Sequence, residues 1–308
     1  MTAKKGILII GGTGLIGQAI VRKLDAEQYN IFIASRNVLT ARTIFHENHI
    51  QYVSLDEEHP VKLVEAVRSC PVIINLAGEN IGVRKWTEEQ KNKIYESRLK
   101  TGALIDAILV EYKIKPEVYI QASAIGYYGN RGVDKITEKD SNGKGFLAEV
   151  CDAWESSAWI ARHTSKRSYL MRIGLVLSKN AELVTTLSRM FKYFGGVRMG
   201  YKNQMISWIH IDDLVQAVIS MLDGKLSGGE YNLVSPNPEY AHDFYKLFAK
   251  NLKRLSLMSI PPFLIKMIYG QMADELLLSS QNVFPEKLLQ EDFSFKYTDL
   301  NTAFKDIL

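Results

Sequence analysis

Three glycines spaced three residues apart mark the stretch of this chain best suited to chemistry, Ile7-Leu8-Ile9-Ile10-Gly11-Gly12-Thr13-Gly14-Leu15-Ile16-Gly17. That pattern can hold a pyrophosphate. Gly11 lets the chain leave a strand in a tight turn, Gly14 lets the backbone approach phosphate oxygens with no Cβ in the way, and Gly17 lets the next helix pack close to a sheet. The N–H groups that open that helix have no intrahelical partner and carry its partial positive charge, which suits an anion. Contacts to a dinucleotide are therefore expected from Gly11, Thr13, Gly14, Leu15, Ile16 and Gly17. The usual fingerprint sets its first two glycines two residues apart, so the flanking strand and helix carry as much of the argument as the spacing.

A second junction selects between cofactors. Ile31-Phe32-Ile33-Ala34 reads as a buried strand, and it ends in Ser35-Arg36-Asn37. An acidic residue here would accept from the ribose 2′-hydroxyl of NAD, whereas a hydroxyl followed by an arginine holds a 2′-phosphate. Ser35 and Arg36 favour NADP over NAD.

Groups of this kind must be presented at one edge of a sheet. Further strands are predicted at Gln51–Leu55, Val72–Leu76, Val118–Ser123 and Tyr169–Gly174, with helices at Leu15–Leu24, Pro60–Ser69, Thr87–Tyr112 and Phe146–Arg162. Near-continuous aliphatic runs alternating with amphipathic helices argue for a doubly wound parallel α/β sheet with right-handed crossovers. Ligands bind at the carboxyl ends of such strands, which places Leu76, Ala77, Gly78, Ala122 and Ile173 on the crevice of Gly11–Gly17. Arg98, within the long helix, is within reach of the same cofactor. The rhythm breaks after Leu177. A helix over Ala181–Phe194 precedes Gly195-Gly196, a short strand follows at Ser207–His210, and a helix opens on Asp212-Asp213. Residues 1–177, with 205–234 returning to the sheet, are expected to form the nucleotide-binding domain. Residues 178–204 and 235–308 form a smaller, mainly helical lobe over the strand ends, where a substrate belongs.

Composition narrows the function classes. The chain has 308 residues, 46% of them hydrophobic, and a net charge of +4 spread along its length, which makes no case for nucleic acid. Cys70 and Cys151 are its only cysteines and lie far apart, so no disulfide framework or zinc site arises and a reducing cytoplasm is expected. No apolar run reaches the roughly 18 residues that a membrane span requires, and no membrane partner is expected.

Taken together, the glycine turn, Asn75-Leu76-Ala77-Gly78, Ala122-Ser123-Ala124-Ile125-Gly126-Tyr127-Tyr128-Gly129, Met171-Arg172-Ile173-Gly174 and Trp208-Ile209-His210-Ile211-Asp212-Asp213 resemble the extended short-chain dehydrogenases/reductases, the NAD(P)-dependent epimerase/dehydratase family. More narrowly, the chain is similar to the subgroup called epimerase family proteins. Leu276–Gln281, Pro285–Leu288 and Phe293–Tyr297 resemble the C-terminal region of that subgroup, so the likeness runs over residues 5–308. The resemblance implies a Rossmann domain, a lobe that closes on a small-molecule substrate, and hydride transfer at C4 of a nicotinamide. It also implies a homodimer paired through the helices at Thr87–Tyr112 and Phe146–Arg162.

Family chemistry uses a Ser or Thr that polarises the reacting oxygen, together with a Tyr-x-x-x-Lys pair whose ammonium lowers the phenol's pKa. Ser123 matches the first part. The second is missing: Leu147 and Cys151 occupy the Tyr and Lys positions, and no Tyr-x-x-x-Lys occurs in the chain. Tyr127, Tyr128 or a water are the candidate replacements, although Gly129-Asn130 after the tyrosines argues a turn. Glu149 lies roughly 200° around the helix from Leu147 and should face away. Cys151 reads as an inert buried thiol. His210 and Asp213 read as groups that tie the lobe to the sheet, and Trp208, Tyr201 and Met199 as core more than cleft. Two functions remain open, an NADP-dependent oxidoreductase or epimerase of unknown substrate, and an NADP-binding sensor or partner-binding protein without turnover.

Overall fold

The four aliphatics before Gly11 form the end of a strand whose side chains are buried on both faces. A computed structural model of the chain describes residues 4–45, 47, 49–55, 60–194, 196–255 and 258–308; Gly195 lies outside them. The first part of the chain alternates strand and helix through β1 (Lys5–Ile10), α1 (Leu15–Lys23), β2 (Tyr29–Ser35), α2 (Val38–Ile44), β3 (Ile50–Ser54), α3 (Val61–Ser69), β4 (Val72–Asn75), α4 (Glu88–Glu111) and β5 (Val118–Ala124). A short 3₁₀ turn, Ile125–Tyr128, leads to β6 (Lys135–Ile136), α5 (Phe146–Ser156), α6 (Trp159–Thr164), β7 (Arg167–Ile173) and β8 (Leu175–Leu177).

Seven strands, all parallel, make the central sheet, and β1 lies between β2 and β4. The strand order reverses at β1, so the turn after Ile10 opens at the switch point where parallel sheets take their ligands. Alternate residues of β1 feed opposite layers: Ile7 and Ile9 join one core cluster with Ile20 and Val218, and Leu8 and Ile10 join another with Leu63 and Ile105. This is the Rossmann-like α/β fold that the aliphatic runs predict.

The single helix expected over Phe146–Arg162 is two. The break is tertiary in origin. Asp106 of α4 accepts from the backbone N–H groups of Ile160 and Ala161, both at 2.8 Å, and so opens α6 afresh. Gly102 allows the approach, since a Cβ there would lie 2.2 Å from Ser157 Oγ.

After β8 come α7 (Glu182–Phe194), β9 (Val197–Arg198), β10 (Met205–Ile206), β11 (Trp208–His210), α8 (Ile211–Leu222), β12 (Gly229–Leu233), β13 (Glu239–Tyr240), α9 (Ala241–Asn251), β14 (Met258–Ser259), α10 (Pro262–Tyr269), a π-helical turn at Ala273–Leu277, β15 (Asn282–Val283), α11 (Glu286–Gln290) and α12 (Leu300–Ile307). Within 205–234 only β12 joins the central sheet; β10 pairs with β13 and β11 with β8. Trp208 is fully buried and donates from Nε1 to the carbonyl of Asn237, whereas Tyr201 is exposed. No described helix is long and apolar enough to cross a membrane.

Candidate active site

The first helix begins as the glycine spacing requires. Gly11 adopts φ +77°, and a Cβ on it would sit 2.9 Å from the carbonyl carbon of Leu76. Gly17 is as tightly placed, with Gly12 Cα 2.5 Å from where its Cβ would be. Gly14 is the N-cap of α1, which has no side-chain cap and no acidic residue in its first turn. Among the described residues no side chain caps this end, and the Gly14 N–H itself donates to Gly11 O at 3.0 Å. Thr13 turns its carbonyl inward to accept from Gln18 Nε2 at 2.7 Å, while Leu15 and Ile16 pack on the cores beneath. The donor set and the bare backbone suit a pyrophosphate.

Beside this turn, β2 ends at Ser35, whose hydroxyl accepts from Asn37 N–H at 3.2 Å and anchors the bend that carries Arg36. The Arg36 guanidinium is exposed and lies 3.4 Å from Glu79 Oε2, reaching across the crevice. Leu76, Ala77 and Gly78 pass along the same edge: Leu76 N–H donates to Ile10 O at 2.9 Å, and buried Asn75 accepts from Ala77 N–H at 3.2 Å.

Arg98 is committed elsewhere than to an open crevice. It is buried, donates to the carbonyls of Ile94 and Glu79 at 2.9 and 3.2 Å, and lies 4.6 Å over the Trp154 ring. It touches the crevice only as the floor under Gly78, where a Cβ would meet its guanidinium carbon at 3.1 Å. The side chains of Ala122 and Ile173 belong to a hydrophobic core cluster. Along β5 and β7 the intervening residues, Ser123 and Arg172, lie directly opposite each other.

Ser123 Oγ donates to Glu155 Oε1 at 2.7 Å. The same carboxylate receives Arg172 through Nε–Oε1 and Nη2–Oε2 contacts, both 3.0 Å. Arg172 then donates to Tyr128 OH at 3.0 Å, and Tyr128 donates to Asn232 Oδ1 at 2.7 Å. The Tyr127 ring lies 3.7 Å beneath the Arg172 guanidinium. Residues from β5, the turn after it, α5, β7 and β12 thus form one buried polar network at the carboxyl edge of the sheet.

This network removes Tyr128 from the candidate bases. It is fully enclosed, and burial pushes its phenol up to about 12 against the opposing pull of Arg172. Tyr127 stays half-exposed, its phenol raised first by burial and lowered by Arg172. Cys151 is an enclosed thiol pushed up to about 11 by burial, next to Ser123 and Arg98. Glu149 faces solvent, as its helical position predicts.

Glu155, Arg172 and Asn232 were not singled out by sequence reasoning. One signal was available for Glu155, which follows Leu147 and Cys151 at four-residue steps along α5 and so shares their face. Its partners, on two other strands, leave no local trace. Glu275 is a further unanticipated group: its Oε2 accepts from Leu147 N–H at 2.8 Å, placing an acid from the C-terminal lobe at the start of α5. Gln281 donates to the carbonyls of Ile125 and Gly129 at 2.8 and 2.9 Å and straps the same lobe across the turn after Ser123. Asp213 links α8 to the C-terminal segment, whereas the hydrogen bond that His210 makes is a local cap of α8. His210 Nδ1 accepts from Asp212 N–H at 3.1 Å, and Asp213 accepts from the N–H groups of Lys296 and Tyr297 at 2.7 and 2.9 Å.

The family model described as NAD dependent epimerase/dehydratase matches residues 7–233, the span that builds both the glycine turn and this network. The chain belongs to that family. Another family model, described only as a domain of unknown function, matches residues 260–307, which carry Glu275 and Gln281. An epimerase family protein of Staphylococcus haemolyticus is 32% identical over 306 residues, 99% of each chain. The chloroplastic epimerase family protein SDR39U1 homolog of Arabidopsis thaliana is 32% identical over 98% of this chain and 86% of its own length. Among solved structures, the human epimerase family protein SDR39U1 with NADPH superposes at a TM-score of 0.85, with 25% identity and 98% of both chains covered.

Proposed function

We propose that this member of the epimerase/dehydratase family is an NADP-dependent oxidoreductase or epimerase acting on a small-molecule substrate. Ser123 and Glu155 take the place of the absent Tyr-x-x-x-Lys pair. The observation that carries this reading is the 2.7 Å hydrogen bond from Ser123 to Glu155 at the carboxyl end of β5. Gly11, Gly14 and the first turn of α1 would hold the pyrophosphate, and Ser35 and Arg36 the 2′-phosphate. NADPH bound to the human relative supports that choice over NAD. When bound, the nicotinamide supplies or accepts hydride at C4.

Because the Ser123 proton points at Glu155, its oxygen presents lone pairs to a substrate hydroxyl. In the oxidative direction the substrate proton passes to Ser123 Oγ as the serine's own proton passes to Glu155 Oε1, leaving a neutral carboxyl beside Arg172. Arg172 holds the carboxylate in one orientation through its two contacts. Tyr127, stacked under Arg172 and half-exposed, is placed to line the substrate side.

A second reading, a nucleotide-binding sensor without turnover, is favoured by one observation: Ser123 is only 2% exposed and its donor is already used within the protein. Stopped-flow and steady-state assays with NADPH against a panel of carbonyl compounds and nucleotide sugars separate the two. Turnover that falls about 10²-fold or more in both Ser123→Ala and Glu155→Gln, with NADPH affinity intact, supports the enzyme. Tight NADPH binding with no turnover on any substrate supports the sensor.

A further inference from the structure

The register of the central sheet sets Ala34, Ile10 and Asn75 level with one another on β2, β1 and β4. A contact between the loops that follow β2 and β4 therefore spans the end of β1, where the glycine turn begins. Arg36 and Glu79, 3.4 Å apart, make one such contact. The next residue, Asn80, makes another bridge: its Nδ2 donates to Glu182 Oε2 at 2.9 Å. Glu182 opens α7, and Leu15, the first residue of α1, packs on the same cluster as Ala181 and Val184. From two adjacent residues the loop after β4 thus reaches the end of β2 on one side of the phosphate turn and the helix beside α1 on the other.

Local bonding aims Asn80 at this partner. Its Oδ1 accepts from Gly82 N–H at 2.9 Å, so a flipped amide would set donor against donor, and Nδ2 stays turned to α7. The backbone on either side is pinned. Glu79 N–H donates to Ser97 Oγ at 2.9 Å, the Glu79 carbonyl accepts from Arg98 at 3.2 Å, and the Ile81 carbonyl accepts from Trp86 Nε1 at 2.9 Å. Asn80 and Glu182 are both exposed, so rotating either side chain parts them at little cost. The substrate side of the lobe is fastened more firmly. There β15 pairs with β6, Gln281 holds two carbonyls of the turn after Ser123, and Glu275 holds Leu147 N–H. The contact that opens easily lies on the nucleotide side.

We infer that Asn80 and Glu182 form a clasp that gates the exchange of NADP(H), an inference that rests on the nucleotide lying at the glycine turn as proposed above. A dinucleotide held by that turn and by Arg36 has to enter and leave past the bridge. Glu79 yields Arg36 to the 2′-phosphate, whereas Asn80 and Glu182 have no phosphate to give way to and pair again behind the nucleotide. A clasp closed both with and without nucleotide acts on rates and not on the equilibrium.

Stopped-flow fluorescence of NADPH with the full chain tests this. Asn80→Ala and Glu182→Ala should each raise the association and dissociation rates together by about two- to fivefold, the worth of one exposed polar contact, with Kd changed less than about twofold. The double variant should match either single one, because the same bond is lost. Asn80→Cys combined with Glu182→Cys, joined by a short bismaleimide after loading with NADPH, should slow dissociation at least about tenfold and retain the nucleotide through gel filtration. The native thiols Cys70 and Cys151 are buried and leave the cross-link selective. Normal NADPH binding with rates unchanged in every variant overturns the clasp and leaves the cofactor reading standing. A rise in dissociation alone, with Kd rising in step, also overturns it, since Asn80 and Glu182 would then be ligand contacts. A wild-type chain that binds no NADPH overturns the cofactor reading and the clasp with it.

Discussion

Ser123 and Glu155, 32 residues apart in the chain, share a 2.7 Å hydrogen bond, and Arg172, directly across from Ser123 on the neighbouring strand, closes the triangle. A charge pair this deep is costly to break on one side. Glu155→Ala leaves the Arg172 guanidinium buried without its anion, and a loss of about 3–5 kcal/mol is expected by urea denaturation. Ser123→Ala removes one hydrogen bond to a charged group and should cost only about 1.5–3 kcal/mol. If both variants were equally stable with the wild-type chain, the network would be no part of what holds β5, α5 and β7 together.

The second prediction concerns the choice of nucleotide. Arg36 lies 3.4 Å from Glu79 and is exposed, so the ion pair is weak and gives way to a stronger anion. Arg36→Ala should weaken NADPH by about 10- to 100-fold, the worth of one or two charge-assisted hydrogen bonds, and leave NADH nearly unchanged. Glu79→Gln frees the guanidinium and should tighten NADPH a few-fold. Calorimetry with both nucleotides reads the difference; equal losses for NADPH and NADH in Arg36→Ala would remove Arg36 from the 2′-phosphate.

Two glycines allow a third comparison. Adding a Cβ at Gly17 brings it within 2.5 Å of Gly12 Cα, so α1 must move off the sheet, and both stability and nucleotide binding should fall. Gly132, unlike the helical Gly17, has a positive φ, +62°, and no heavy atom within 4 Å of an added Cβ. Gly132→Ala should therefore cost only the backbone strain, roughly 1–2 kcal/mol, and leave NADPH binding as it was. Matching losses of nucleotide affinity in the two variants would show that close packing at Gly17 is not what shapes the phosphate turn.

The sheet could be read from the chain because β1 and β4 are buried on both faces and carry that fact in consecutive aliphatic residues. The glycine turn was legible for the same reason, as backbone demands are written in residue type. Other features were not. The split between α5 and α6 depends on Asp106 reaching in from α4, and two-residue strands such as β6 and β15 are too short to leave a period. Glu155 on an otherwise apolar face would read as a misplaced charge until Arg172 and Ser123 are known to meet it, and nothing local in the sequence specifies that meeting. The candidate tyrosines illustrate the converse. Tyr127 and Tyr128 are adjacent in the chain, yet the 3₁₀ turn sends Tyr128 to Asn232 and leaves Tyr127 half-exposed.

The last prediction is a pH dependence centred on His210. Its side chain is 1% exposed and caps α8 by accepting from Asp212 N–H, which requires Nδ1 to be unprotonated. Nε2 lies 3.3 Å from Asp306 Oδ2 without the alignment of a hydrogen bond, and Tyr297 stacks 3.8 Å away. Burial lowers the imidazole's pKa, and the nearby carboxylates of Asp212, Asp306 and Asp213 only partly oppose it. The unfolded chain protonates this histidine near pH 6.5, while the folded chain resists until lower pH. Its contribution to stability is therefore complete above about pH 6.5 and is lost as pH falls from there through the folded-state value. His210→Asn keeps an oxygen to cap Asp212 N–H and removes the titration. Glu138, raised by burial, titrates with the opposite sign in both proteins and cancels in the comparison, whereas Asp213, also raised by burial, loses the opposing pull of His210 in the variant. Urea midpoints measured from about pH 8 to about pH 5.5 should fall more steeply for the wild-type chain than for His210→Asn. Parallel curves would mean that His210 takes up its proton in the folded state as readily as in the unfolded one.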